Sequence, residues 1–159
     1  MLNKQNVKDI YPLSPMQESM LFQSLVEPDS LAYFEQTSFT IKGDFNIDKF
    51  KESIGLLFEK YDILRSIFIH KNVTRPFQVV LKKITQNVNF IDISDFKSEN
   101  QKEYLEQLKV KDRLNPFNLS NDVLMRTQVV KIADTKRHEN KIKPEVAIRQ
   151  LLRQSIHDF

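Results

Sequence analysis

The pattern that most constrains the fold is a segment with the hydrophobic periodicity of a helix. It lies among segments in which apolar and polar residues alternate, as they do in strands. Between residues 46 and 62, apolar residues recur at intervals of three and four, as they do on one face of an amphipathic helix. These residues are Ile47, Phe50, Ile54, Leu57, Phe58 and Tyr61. The neighbouring segments follow the period of two that is typical of strands. A chain with both periods needs helices packed on a sheet, which predicts an α/β fold.

The remaining elements follow from local composition. Strand-like segments fall at residues 34–42, 64–70, 77–81, 88–93 and 123–132. A turn at Gly43 and Asp44 ends the first of them. Ser14 and Pro15 predict the start of a helix, with serine as the N-cap and proline in the first turn. Residues 98–113 predict a third helix, which Pro116 terminates.

Composition excludes several classes of function. The 159 residues are 40% hydrophobic, enough for one compact domain. The net charge is +3 and the charges alternate in sign, whereas a nucleic-acid surface needs a concentrated basic stripe. Gly43 and Gly55 are the only glycines, too few for a phosphate-binding loop. With no cysteine and three widely spaced histidines, no metal site is expected.

The expected location is the cytoplasm. Residues 1–9 lack the apolar core of a signal peptide. No apolar run approaches the roughly 18 residues needed to cross a bilayer, so no membrane contact is expected.

The last 27 residues predict a different organisation from the first 132. Residues 134–141 are charged and polar, which predicts a solvated or disordered linker. Residues 144–157 predict an amphipathic helix with Pro144 in its first turn. Its apolar positions are Ala147, Ile148, Leu151, Leu152 and Ile156. Such a stripe serves either core packing or docking to a partner.

Two segments carry a family resemblance. Residues 10–22 (IYPLSPMQESMLF) and 60–68 (KYDILRSIF) resemble the first two core motifs of the condensation domains of nonribosomal peptide synthetases. The bend at Arg75 and Pro76 and the segments 116–119 and 124–126 follow in the family's order. The motif positions are Ser14, Pro15, Gln17, Tyr61, Leu64, Arg65, Phe68 and Arg126. The family more often has histidine where this chain has Tyr61.

The resemblance implies a fold and a reaction. The fold is the N-terminal half of a chloramphenicol-acetyltransferase-like architecture over residues 1–132, with residues 133–159 supplying a linker and a C-terminal helix in place of the rest. The family joins two thioesters into an amide while both are held on the phosphopantetheine arms of carrier domains. No cofactor is expected on this chain itself.

The catalytic motif of the family, His-His-x-x-x-Asp-Gly, does not occur in the sequence. His70, His138 and His157 are isolated from one another, and none is followed by Asp-Gly. No catalytic residue is therefore assigned, since general acid–base catalysis has no candidate at the right place. Isolated histidines such as these are usually surface or boundary residues.

Arg65 leaves several alternatives open. The resemblance implies that this arginine has a structural role, as the partner of the aspartate in the catalytic motif. This chain lacks that aspartate. A buried, unpaired arginine costs several kcal/mol. Arg65 must then face solvent, find another acid or strain the fold locally. Alternatively, it is simply exposed at a strand edge.

Three functions are open on the sequence alone. The chain is an inactive, incomplete condensation domain, or an acceptor for the docking helix of an upstream synthetase subunit, or half of an enzyme completed in trans. The first predicts an apolar face covered by the C-terminal helix or by a second copy. An unpaired edge strand at residues 123–132 would also favour self-association.

Overall fold

The computed structural model describes residues 3–85, 88–135 and 139–149. The helices are α1 (Pro15–Val26), α2 (Ile47–Lys60) and α3 (Ser98–Arg113). Short 3-10 helices span Lys4–Asn6 and Asp62–Arg65. The strands are β1 (Val7–Pro12), β2 (Phe34–Ser38), β3 (Ile41–Lys42), β4 (Ser66–Ile69), β5 (Phe77–Leu81), β6 (Val88–Asp92), β7 (Met125–Thr135) and β8 (Glu139–Arg149). In these described ranges, none of the helices has the length and apolar character needed to cross a bilayer.

The strands form two sheets, which confirms the predicted α/β class. The smaller sheet is antiparallel and has the order β1-β5-β4. The larger sheet has the order β2-β8-β7-β6, and β3 also pairs with β8. Only β6 and β7 are parallel in this sheet. Helix α3 is the connection between these two parallel strands, as a parallel crossover requires.

Two apolar clusters form the core. The first joins α1, β4 and the segment before β7 through Leu13, Met20, Leu21, Phe68, Phe117, Leu119 and Leu124. The second packs α3 on the β6–β7 pair through Ile93, Leu105 and Val130. Both clusters therefore meet at β7, which begins directly after Leu124 and contains Val130.

The apolar faces of α1 and α2 are only partly buried. In α1 the buried residues are Gln17, Met20, Leu21 and Ser24, whereas Phe22 and Leu25 are exposed. In α2, Ile54 and Phe58 are buried, and Leu57 is exposed. Both predicted helices are confirmed, but only some residues of each predicted apolar face are buried in the core.

The prediction of a linker and a C-terminal helix after residue 132 is wrong for the residues that the structure describes. Strand β7 continues through Ala133 to Thr135, and residues 139–149 form strand β8 instead of a linker and the start of a helix. Residues 150–157 of the predicted helix lie outside the described residues. The sequence of β8 also has apolar residues at a spacing of two, with Ile142, Val146 and Ile148, and pairing on both sides favours that period.

Pro144 explains a second difference, the interruption of the strand predicted at 34–42. Ser38 pairs with Glu145 and Ile41 pairs with Ile142, so the register is the same on both sides of the gap. Phe39 would then lie opposite Pro144. Proline has no N–H to donate to a ladder, and pairing stops at this position.

The predicted edge strand is also corrected, because β7 pairs with β6 on one side and β8 on the other. It therefore offers no open edge for a second copy. The expected self-association through an unpaired strand at 123–132 is therefore not supported, because both edges of β7 are paired.

Two phenylalanines differ strongly in their exposure to solvent. Phe68 has no exposed surface and lies in the first cluster, whereas Phe22 is 66% exposed on α1. We expect Phe68→Ala to lower the free energy of unfolding by about 3 to 5 kcal/mol, because it opens a cavity in the core. The matched control Phe22→Ala should change it by less than about 0.5 kcal/mol. Urea unfolding followed by circular dichroism measures both, and equal losses would contradict the assignment of this core.

Candidate functional site

The first family motif forms a capped helix start that is tied to the smaller sheet. The Ser14 hydroxyl accepts a hydrogen bond from the Gln17 backbone N–H at 3.2 Å, and the Ser14 N–H donates to Gln17 Oε1 at 3.0 Å. This is a capping box, with Pro15 in the first turn as predicted. Gln17 Nε2 also donates to Gln78 Oε1 on β5 at 3.0 Å. The motif thus fixes α1 against the sheet.

The second motif begins at the end of α2. Tyr61 is the C-cap residue, and its backbone N–H donates to the Leu57 carbonyl. Its side chain is exposed, with Lys60 Nζ 5.4 Å from the ring centroid. Leu64 packs against the first apolar cluster. Leu64 and Arg65 lie in the 3-10 helix and not in the predicted strand, because the chain turns between α2 and β4.

Arg65 is buried and has found another acid. Its Nη1 donates to the carbonyl oxygens of Leu81 at 2.7 Å and Lys82 at 3.0 Å. Its Nη2 donates to the Glu59 carbonyl at 3.3 Å and to the carboxylate of Asp62. The residue is 6% exposed. The alternative of an exposed strand-edge arginine is therefore wrong, and Asp62 compensates the buried charge.

Asp62 holds Arg65 from a more exposed position. Its other carboxylate oxygen accepts from Lys8 Nζ on β1 at 2.6 Å. Through this carboxylate, the end of α2 is connected to both β1 and Arg65. Arg65 itself bonds to the chain at the end of β5.

A cavity of about 500 Å³ lies beside Arg65. Its charged lining residues are mainly basic, with Lys51, Lys82 and Lys83 facing a single acid, Glu59. Phe58, Ile84 and Val88 supply apolar surface. The lining of the cavity is thus mainly basic and partly apolar.

Arg126 fixes the segment between α3 and β7. Its Nε lies 3.0 Å from Asp112 Oδ1, and its Nη2 donates to the carbonyls of Asp112 at 3.0 Å and Asn115 at 2.7 Å. The guanidinium stacks over the Phe117 ring at 4.0 Å. A cation at the carboxyl end of a helix also interacts favourably with the helix dipole. Arg126 therefore holds the end of α3 against the start of β7.

Asp112 connects this cluster to β2. Its side chain is buried, and its Oδ2 accepts from Gln36 Nε2 at 3.1 Å. Gln36 Oε1 in turn accepts from Arg113 Nε at 3.0 Å. The cluster thus joins β2, α3 and β7 through side chains, in addition to the backbone pairing of the sheet.

A second cavity, of about 680 Å³, adjoins the first. Lys83 and Ile84 line both cavities, and Arg126, Thr127 and Gln128 line the second. Thr127 Oγ1 and Gln128 Oε1 are buried and make no hydrogen bond within the described part of the chain. Arg65 Nε and Arg126 Nε are two further buried atoms without a hydrogen-bond partner in the described part of the chain.

The second cavity lies near the carboxyl end of β8. Met125 lines it and pairs with Ile148, close to the last residue of that strand. Arg65 and Arg126 therefore line neighbouring cavities, whereas Ser14, Pro15 and Tyr61 do not line either. Phe68 belongs to the core.

His70 has a structural environment. Its Nδ1 lies 3.2 Å from the Phe68 carbonyl oxygen and 3.3 Å from Ser120 Oγ. These contacts connect β4 to the turn before β7. His138 and His157 lie outside the described residues. Among the residues that the structure describes, no three His, Asp or Glu side chains are grouped as metal ligands would be.

Sequence reasoning missed Asp62, Asp112, Thr127 and Gln128. The spacing of three between Asp62 and Arg65 was a usable signal for their ion pair. No local signal connects Asp112 with Arg126, which is 14 residues away along the chain.

Comparison with known proteins decides the family. A family model described as a condensation domain matches residues 7–139. The chain belongs to the condensation domain family. It is 46% identical to one of the plipastatin synthase proteins of Bacillus subtilis (strain 168) over 127 residues, covering 80% of this chain and 5% of that protein. It is 39% identical to gramicidin S synthase 2 of Brevibacillus brevis over 126 residues, covering 79% of this chain and 3% of that protein.

Solved structures confirm the fold. The chain superposes on the starter condensation domain of rhizomide synthetase with a TM-score of 0.76 at 18% identity, covering 91% of this chain and 34% of that one. It superposes on a four-domain nonribosomal peptide synthetase with a TM-score of 0.75 at 21% identity, covering 92% and 10%. The chloramphenicol-acetyltransferase-like class is thus confirmed, and the chain spans about a third of a solved condensation domain.

The Arg65 network yields a prediction about stability. We expect Arg65→Ala to lower the free energy of unfolding by about 3 kcal/mol, since it leaves Asp62 and three carbonyls without their donor. Asp62→Ala should also cost about 3 kcal/mol, because it leaves the buried Arg65 guanidinium without its acid. Urea unfolding of each variant measures these changes.

Lys8→Ala is the matched control, because it removes only the exposed ion pair of the same Asp62 carboxylate. Exposed pairs contribute little, so its effect should stay below about 0.5 kcal/mol. A loss as large as that of Asp62→Ala would show that the Lys8 pair, and not the Arg65 pair, is the important contact.

Proposed function

We propose that this chain is the N-terminal part of a condensation domain that forms amides in a nonribosomal peptide synthetase, and that it is inactive by itself. The observation that carries the proposal is the family match over residues 7–139 together with a sequence that lacks His-His-x-x-x-Asp-Gly. The chain spans 5% or less of the length of the first two relatives it matches. The rest of the domain would supply the missing motif.

In this proposal the chain supplies walls and positioning for the reaction. Arg65 fixes the backbone after β5, where Lys82 and Lys83 line the first cavity. Arg126 fixes the start of β7, where Thr127 and Gln128 line the second. Neither arginine is assigned a direct role in bond formation, because both are committed to protein acceptors.

The substrates would be two thioesters, each on the phosphopantetheine arm of a carrier domain. A cavity of about 680 Å³ falls within the range of small-molecule sites. Polar residues of its lining, such as Asn89, Asn115 and Asn121, offer hydrogen-bonding groups for an arm that contains amides. The carrier domains are therefore the expected partners.

Among the described residues, no histidine lines either cavity to serve as the base in proton transfer. His70 is held by the Phe68 carbonyl and Ser120, and it does not line either cavity. Deprotonation of the attacking amine needs a base within hydrogen-bonding distance of it. The catalytic histidines of the missing motif would supply that base.

The proposal predicts no amide product when the chain alone is mixed with two carrier proteins loaded with aminoacyl groups. Mass spectrometry of the carrier-bound species measures the product, with a complete condensation domain as positive control. Product formed by this chain alone would contradict the proposal. Product formed only after addition of a polypeptide that contains His-His-x-x-x-Asp-Gly would identify an enzyme completed in trans.

A second candidate function is docking of an upstream synthetase protein, which one observation favours. Phe22, Leu25 and Val26 are 66%, 48% and 58% exposed on one side of α1. Exposed apolar side chains at this spacing suit an amphipathic helix laid against them. The short carboxy-terminal docking helix of an upstream synthetase protein has this character.

Calorimetric titration with candidate donor helices tests the docking function. We expect micromolar binding that Phe22→Ser weakens by about tenfold or more, since a large apolar contact is lost. Gln23→Ser on the same helix is the control and should leave the affinity unchanged. If no donor helix binds, or if both substitutions have the same effect, the docking function is contradicted.

A further inference from the structure

Positive charge predominates in the lining of the first cavity, beside Arg65. One acid, Glu59, and three lysines line it. The lysines are Lys51, Lys82 and Lys83. The charge of Arg65 does not add to this excess, because Asp62 compensates it. A cleft lined by charges of one sign raises the local concentration of ions of the opposite sign. The cavity is therefore suited to an anion.

The two lysines after β5 are held in place by hydrogen bonds to their backbone. The Lys83 N–H donates to Asn6 Oδ1 at 3.0 Å, and Asn6 Nδ2 donates to the Lys83 carbonyl at 2.8 Å. The Lys82 N–H donates to the Asn6 carbonyl at 2.7 Å, and the Lys82 carbonyl accepts from Arg65 Nη1 at 3.0 Å. A segment that is already ordered loses less conformational freedom when a ligand binds to it.

The ammonium groups of Lys51 and Lys83 are available to a ligand. Both residues are exposed, and within the described part of the chain neither side chain has an acceptor. Lys82 differs, because its Nζ donates to the Gln5 carbonyl at 3.1 Å. Lys83 also lines the second cavity. It therefore lies where a ligand that extends from one cavity into the other would pass.

The linings of the two cavities follow the chemical order of a phosphopantetheine arm. In that arm a phosphodiester is followed by a carbon with two methyl groups, then by two amides and the sulfur. The first cavity offers lysines together with the apolar Ile84 and Val88. The second offers amide side chains such as Asn89 and Asn115. The charged, branched end of the arm thus suits the first cavity, and its amides suit the second.

We propose that the first cavity binds the phosphate group of the arm, with Lys51 and Lys83 as the donors. This inference rests on the proposed function, which makes the arm the carrier of the substrate. Hydrogen bonds from an ammonium group to a phosphate are charge-assisted and stronger than those between neutral groups. Glu59 acts in the opposite direction, since its carboxylate repels the phosphate.

Titration of the labelled full-length chain, followed by nuclear magnetic resonance, tests the site. One ligand is the methyl ester of phosphopantetheine, which keeps the phosphodiester, and the other is pantetheine, which lacks the phosphate. We expect the amide shifts of Lys83 and Ile84 to report binding. The ligand with phosphate should bind about tenfold more tightly, the gain from one hydrogen bond between charged groups. Added salt should reduce this difference, because exposed charges are screened.

Three substitutions identify the groups that bind the phosphate. Lys83→Gln should remove most of the difference between the two ligands, and its backbone bonds to Asn6 remain. Glu59→Gln should increase the difference by about threefold, because it removes the repelling carboxylate. Lys71→Gln is the control with the same change of charge, since Lys71 is exposed and lines neither cavity. It should leave both affinities unchanged.

Equal affinities for the two ligands, or equal effects of Lys83→Gln and Lys71→Gln, would overturn the proposal. Inorganic phosphate that binds as tightly as the methyl ester would also overturn it, because the site would then take free phosphate and not the arm. These outcomes are separate from the amide assay. Their failure leaves the proposed function in place, whereas amide formed by the chain alone contradicts that function whatever the affinity of this cavity.

Discussion

The backbone pairing of β8 unites the larger sheet. Within the described residues, the backbone pairing of β2 and β3 reaches β7 only through β8. Helix α3 packs on β6 and β7, and the Asp112 cluster then joins that layer to β2. Part of the wall of the second cavity lies at the start of β7, from Met125 to Gln128, so its position depends on this pairing. A segment that local composition describes as a linker and helix is thus a central strand.

Two arginines perform the same physical task at two places. Arg65 brings four acceptors from the end of α2, the 3-10 helix and the end of β5 to one guanidinium. Arg126 does so for the end of α3 and the following turn. In both cases a buried or half-buried charge is compensated by one carboxylate and several carbonyls, which offsets the cost of desolvation. The second motif of this chain therefore holds its arginine with Asp62 and does not need an acid from the catalytic motif to do so.

Local signals predicted most of the fold. The helix at 98–113 and the strand at 77–81 have the predicted bounds, since caps, periodicity and terminating residues all lie within a few positions of each other. Strand β8 was missed because Pro144 is typical of a first helical turn and Ile148 fits both periods. Residues 139–149 form a strand because they pair with β7, which is adjacent in sequence, and with β2, which is distant in sequence. The same holds for the site, where the family motif identified Arg65 and Arg126 but not Asp112, Thr127 or Gln128.

The conformation of residues 139–149 decides whether β8 joins β2 and β3 to β7, and nuclear magnetic resonance measures it. Backbone chemical shifts of the labelled chain give the secondary structure, and contacts between backbone protons of neighbouring strands give the pairing. We predict strand-type shifts from Glu139 to Arg149 and cross-strand contacts between Thr127 and Val146 on one side and Thr37 and Val146 on the other. Helical shifts from Pro144 onward, without these contacts, would contradict the assignment of residues 139–149 to a strand.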